Sequence, residues 1–405
     1  MRLSATQLVV GATVIAAILI ATYPDDAQAI PAWTRKHKLP CTSCHFGSTN
    51  RLTKFGRDFQ WRGYRTADTE SLSDDNSPVL TDYLSFASKF RFESDKDASP
   101  KTKFDVEALS IYMGGPLYQN LSFFFEIYLH ERGKESNSTG TGNTDTAVRE
   151  KLAEAYLFYN SKPDADTYWF ARAGSVTPRS IHNLSTGGRN SISRPAVLND
   201  DDGTGNLFTP RDRFYGITAG AVHDKKTRFE FGITNGGGGN KRPNQPENND
   251  FKDLFFSVER DLDDDGSYAG VFGYRGRYPV AKPGGPAGQF ADQKFDRFGL
   301  FAALEKDRFN ASAGYFWGKN ELEATASRSP KGYFIEGGVN VGPNTTAYGR
   351  YDRTDWDTGT TKTGYAIGLS QRLSSVGRAA LELAQSKVTG APNKQTIMFE
   401  VNWIF

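Results

Sequence analysis

Cys41 and Cys44 are the only cysteines of the chain, and His45 follows the second directly, in Lys-Leu-Pro-Cys-Thr-Ser-Cys-His. Two thiols at this spacing reach the two vinyl groups of a porphyrin, and the adjoining imidazole turns onto its iron. Two other chemistries use a Cys-x-x-Cys pair. A thioredoxin-like redox couple sits beside a βαβ pattern, which this sequence lacks. A structural disulfide suits an oxidising compartment. Neither gives His45 a task. The expected cofactor is therefore one covalently bound haem c, with thioethers at Cys41 and Cys44 and His45 as proximal ligand.

The flanks supply cover for such a group. Ser48-Thr-Asn-Arg-Leu-Thr-Lys-Phe-Gly-Arg-Asp-Phe-Gln-Trp-Arg-Gly-Tyr64 reads as a short amphipathic helix. Ser48, Thr49 or Asn50 caps it and Gly63 ends it. Leu52, Phe55 and Phe59 recur at helical spacing, which points them at one haem face. Trp33, Leu39 and Pro40 offer apolar cover on the other. A module of some forty residues cannot build an independent core, so a haem or a barrel wall must complete it. The distal ligand sets much of the potential, and methionine raises it relative to histidine. Once a leader is removed, Met113 and Met398 are the remaining methionines. Both share a strand phase with polar neighbours, and His37 is close in sequence. These three stay open as candidates. His130 falls at the far end of a strand, His182 in a long loop and His223 at a turn.

Other elements must hold this module. Arg2, the apolar run Leu8–Thr22 and Ala27-Gln28-Ala29 form a secretory signal peptide cleaved after about Ala29. A retained anchor is the competing reading, but the run is short for a spanning helix. From Leu80 onward, strand-like runs alternate with turn-rich gaps. Sixteen candidate strands begin near Leu80, Lys103, Leu121, Arg149, Thr167, Arg213, Thr227, Phe251, Ser267, Lys294, Phe309, Lys331, Thr346, Lys362, Gly377 and Gln395. Short gaps alternate with long ones such as 175–212 and 236–250, as in an outer-membrane barrel. In the last run Ile397, Phe399, Val401, Trp403 and Phe405 share one face, and Met398, Glu400 and Asn402 the other. A soluble β-sandwich explains the alternation but not the alternating gap lengths. The fold expected is all-β: a 16-stranded antiparallel transmembrane β-barrel with a small N-terminal α-helical c-type cytochrome module plugging its lumen. The divisions are 1–29 signal peptide, 30–75 monohaem module and 76–405 barrel. The net charge of +2 gives no argument for a nucleic-acid partner. Asp200–Asp202 and the group Asp261, Asp263, Asp264 and Asp265 read as solvated turn charge rather than a metal site.

The segment from Pro31 through Trp33, Arg35, Cys41, Cys44, His45, Leu52, Gly56 and Phe59 to Gly63 and Tyr64 resembles the start of the fused monohaem cytochrome–porins of the bacterial outer membrane, a family of iron oxidases. Trp33-Thr34 stands where that family has Phe-Ala, and its proline between His45 and Leu52 is absent here. The resemblance implies electron transfer across the outer membrane. Extracellular Fe(II) would be the donor and a periplasmic carrier such as a soluble cytochrome the acceptor, with outer-membrane lipid around the barrel. Two alternatives stand beside it. One is the same architecture with another donor or with outward electron flow. The other is a diffusion porin whose haem module gates or senses, with Lys89, Arg91, Arg275 and Arg277 as lumen charges.

Overall fold

A computed structural model describes residues 31–66, 71–73, 79–131, 152–185, 188–201, 206–236, 250–282, 284–286, 289–321 and 327–404. The leader expected at 1–29 and Asp202 lie outside the described residues. Sixteen strands form one closed antiparallel barrel in which β1 pairs with β16. They are β1 Leu84–Asp95, β2 Thr102–Tyr118, β3 Leu121–Glu131, β4 Leu152–Asn160, β5 Tyr168–Val176, β6 Phe214–His223, β7 Thr227–Asn235 and β8 Lys252–Asp261. The second half is β9 Tyr268–Ala281, β10 Phe290–Lys306, β11 Phe309–Glu321, β12 Lys331–Gly342, β13 Thr345–Asp355, β14 Thr361–Arg372, β15 Gly377–Val388 and β16 Lys394–Ile404. Every strand starts within four residues of its expected place. The widest displacements are at Leu84 and Phe290.

The alternation builds the wall. In β7, Phe229, Phe231 and Ile233 are exposed on the outer face while Arg228 and Glu230 are buried inside. In β14, Tyr365, Ile367 and Leu369 face out, and in β16 Met398, Glu400 and Asn402 face in. An outer apolar belt over a polar lumen is what a lipid-embedded barrel requires. Arg275 and Arg277 depart from expectation. Tyr274 and Tyr278 take the inward phase of β9, so both arginines lie on the outer face near the longer loops.

Among the described residues, two segments of chain enter the lumen. From the short-turn end, residues 31–66 enter as helices Pro31–His37, Cys41–Cys44 and Lys54–Trp61. They engage the flanks of all seven short turns. Arg65 donates to the Gln119 carbonyl, Asn160 Nδ2 to that of Trp61, and Arg228 pairs with Asp58. Arg57 meets Asp261 at 3.4 Å and Glu305 at 3.9 Å. Ser48 N donates to Thr346 Oγ1 at 3.1 Å, Arg372 donates to the Gly47 carbonyl, and Cys41 Sγ reaches Ser375 O at 3.4 Å. From the other end, residues 177–185, 188–201 and 206–213 of the long connection fold inward around helices Arg179–Ser185 and Ala196–Asn199. Inward-facing carboxylates hold its backbone. Glu336 accepts from Asn190 N and Ser191 N at 2.7 and 2.6 Å, Glu382 from Ile192 N at 2.6 Å, and Asp352 from Ala196 N at 3.1 Å.

The main helix of the N-terminal segment starts later than expected. Thr53, not Ser48–Asn50, is its cap, and the hydroxyl accepts from Gly56 N at 3.2 Å. The residues 48–52 are instead used in a turn, in which Phe46 N donates to Arg51 O at 2.7 Å. Asp261 also differs from the solvated turn charge expected. It is fully buried and joined to Arg57, Lys54 and Arg228, the last at 2.8 Å. Removing one partner of a buried ion network leaves the others uncompensated and costs about 3–5 kcal/mol. Asp261→Ala is therefore expected to unseat the 31–66 segment while the barrel stays closed. Trypsin cleavage within that segment, and a rise in single-channel conductance in planar bilayers, would read this. Wild-type protection and conductance would refute it.

Candidate cofactor-attachment site

The two thiols are held by a compact local frame. The turn Cys41–Cys44 closes with His45 N donating to Cys41 O at 2.8 Å. The next helix then locks onto it: Thr53 N donates to Cys44 O at 3.0 Å and Thr53 Oγ1 to Ser43 O at 2.6 Å. Gly56 is where that helix crosses the turn, and a Cβ there would collide with the Cys44 carbonyl. His45 and Leu52 form an antiparallel bridge that returns the chain past the imidazole.

Cys41, Cys44 and His45 open together on one cavity of about 310 Å³ inside the barrel, within the usual size of ligand sites. Both thiols are free. Burial pushes the Cys44 thiol up to about 12, with neighbouring Cys41 adding to the shift. Cys41 is raised by burial against the opposing pull of Arg372. Burial lowers His45 to about 4, which keeps it neutral. Its Nδ1 lies 3.2 Å from the Asn50 carbonyl oxygen. In the tautomer that donates there, Nε2 is left for the cavity, the arrangement of a metal-ligating histidine oriented by a backbone carbonyl. Two protonated thiols beside a neutral, oriented imidazole are a donor set that suits a covalently attached haem.

The structure sorts the remaining candidates. Met113 lines the cavity. Met398 does not, and packs with Ile192 and Ala380. His37 lies edge-on to Phe59, ring centroids 5.7 Å apart, away from the lining. Leu52, Phe55 and Phe59 are not among the lining residues either. Phe59 is buried with Trp61 and Tyr64, while Phe55 is 41% exposed. The apolar wall comes instead from Trp33, Tyr64 and Phe124. Trp33 stacks on Tyr64 at 4.6 Å and donates to Gly114 O at 2.8 Å. His182, set aside in the sequence as a loop residue, lines the same cavity, because the 177–213 connection folds into the barrel. The length of that connection was its one available signal.

No protein-family model matches the sequence, and no curated protein does. Solved structures do match the fold. The anion-selective porin of Comamonas acidovorans is 13% identical with a TM-score of 0.56, over 80% of this chain and 98% of that one. OmpT, an outer membrane protein of Vibrio cholerae, is 10% identical with a TM-score of 0.54, over 80% and 96%. This chain has the closed-barrel fold of these outer-membrane proteins. The barrel is itself about four-fifths of the chain, so likeness on this scale is accounted for without residues 31–66.

Thiolate is the form that alkylates. In folded protein with both thiols free, alkylation of Cys44 at neutral pH is expected to be on the order of a thousandfold slower than in the urea-unfolded chain, given its rise from 9.0 to about 12. Gly56→Val, which drives the helix off the Cys44 backbone, should bring the two rates together. Mass spectrometry of iodoacetamide time courses measures both, and equal rates in the unaltered protein would contradict the buried frame.

Proposed function

We propose that this barrel is an outer-membrane electron-transfer protein, a cytochrome–porin that takes electrons from an extracellular donor, Fe(II) foremost, and delivers them to a periplasmic carrier. The observation that carries the reading is the opening of Cys41, Cys44 and His45 on one cavity inside a closed barrel. A bound haem c supplies reversible one-electron chemistry. Cys41 and Cys44 would hold it by thioethers and His45 would be its proximal ligand, with the Asn50 carbonyl fixing the imidazole tautomer. Met113 is the one of the three distal candidates from the sequence that faces the same space.

The rest of the chain supplies insulation and placement. A barrel of this strand number would otherwise leave an aqueous channel. Here residues 31–66 meet every short turn, and 177–213 occupies the opposite half of the lumen. The thiol of Cys41 against Ser375 brings the attachment edge to the short-turn mouth, which in such barrels is periplasmic. A soluble carrier can therefore approach that edge. An extracellular donor would approach through the longer loops, which leaves insoluble ferric product outside. A diffusion porin with a gating or sensing module is the second reading. Both plugs weigh against it.

Anaerobic visible spectroscopy of oxidised protein in detergent tests the proposal. Addition of Fe(II) is expected to raise the reduced α-band promptly, and Cys41→Ser with Cys44→Ser should abolish covalent haem on a denaturing gel. A band with dithionite but none with Fe(II) would remove iron as donor. No band with either reagent would overturn the cytochrome reading and favour the porin one.

A further inference from the structure

The cavity that holds the two thiols is strongly unbalanced in charge. Six lysine and arginine side chains line it against two glutamates. Several of these cations are already engaged. Arg213 pairs with Glu126 at 3.1 Å, Arg172 with Glu230, and Arg211 donates to Asn199 at 2.6 Å. Lys89 and Arg194 are different. Neither forms a hydrogen bond or ion pair among the described residues, although both line the cavity. Arg194 Nε is buried without any acceptor. Glu400, the carboxylate whose charge Lys89 feels most, is already paired with Arg91 at 2.6 Å and Arg378 at 3.4 Å. Arg194 has Arg189 and Arg211 as charged neighbours, which makes its burial costlier still. Lys89 and Arg194 are half-buried, and a cation left without a protein partner beside a cavity is a ready partner for an anionic group of a ligand held there.

Their position says which end of a ligand they meet. The thiols lie at the short-turn mouth, against Ser375. Lys89 is five residues into β1 from Leu84 at that mouth, about 16 Å along the strand. Arg194 comes down from the opposite end with the 177–213 connection. A porphyrin of the haem type carries its vinyl groups on one edge and its two propionates on the opposite edge. Thioethers at the floor therefore direct the propionates toward the upper cavity. We propose that Lys89 and Arg194 bind the two haem propionate carboxylates, so that the cofactor is fixed at both edges: covalently at Cys41 and Cys44, and by charge-assisted hydrogen bonds at Lys89 and Arg194. Binding there would make these two cations determinants of its potential. A positive charge held at the propionates disfavours the oxidised, more positive haem. The site rests on the haem reading above.

The experiment starts with holoprotein on a denaturing gel stained for haem. Absence of covalent haem defeats the parent reading and leaves this one without its ligand. With haem present, resonance Raman spectra of the wild type are expected to show propionate bending modes of hydrogen-bonded carboxylates. Arg194→Gln and Lys89→Gln are each expected to shift those modes and to lower the midpoint potential, whereas Arg194→Lys should keep the wild-type potential. Heat-modifiable gel migration verifies that each variant barrel is closed. If a variant does not close, the wild-type spectrum decides alone, and free-carboxylate modes there overturn the proposal. Unchanged modes and potentials in closed variants also overturn it. So does a change confined to the anion selectivity of bilayer conductance, which would make these cations the lining of a solute path.

Discussion

Lipid offers no hydrogen-bond partner to a backbone amide or carbonyl, so a chain that spans it in strands must close into a ring. That constraint organises everything else here. Closure through the β1–β16 ladder removes both edges. The pleat then fixes a period of two, apolar residues outside and polar residues inside. A ring of sixteen strands is wider than side chains alone can fill. The interior is left either to water or, as here, to separate segments of chain, and each of them has to satisfy a wall already studded with charge.

The two fillers solve this differently. Residues 31–66 carry cations to the wall's carboxylates, with Arg57 set between Asp261 and Glu305 and its guanidinium 4.2 Å from the centroid of the Tyr268 ring. The 177–213 connection uses its backbone, donating amides to Glu336, Glu382 and Asp352. The backbone amides of the connection meet their carboxylates at 2.6–3.1 Å, whereas Arg57 stands 3.4 and 3.9 Å from its two. The cavity between the fillers is where the thiols and the imidazole lie.

The strands were legible because membrane exposure writes the alternation into every one of them. Phe229-Glu230-Phe231 and Phe399-Glu400-Val401 declare their faces without reference to any neighbour. The Cys41-Cys44-His45 group was legible because the three residues are adjacent in sequence. What stayed hidden depends on contacts between distant residues. Asp261 looks like turn charge until Arg57, about two hundred positions earlier, is set against it. His182 looks like a loop residue until the loop turns inward. Leu52, Phe55 and Phe59 have helical spacing, yet Phe59 turns toward Trp33, Tyr64 and His37 instead of the cavity. Arg275 and Arg277 were read in the wrong phase, because a one-residue shift exchanges lumen for exterior.

The contact of residues 31–66 with all seven short turns has a consequence for order in time. A segment grasped on every side by a finished ring cannot be handed to an enzyme for modification. Cys41 and Cys44 face inward, and the mouth they would be reached through is the one their own segment closes. Covalent loading of these half-buried thiols is therefore easier before the ring closes, while residues 31–66 are still extended. Barrel closure then holds that segment against every short turn of the ring.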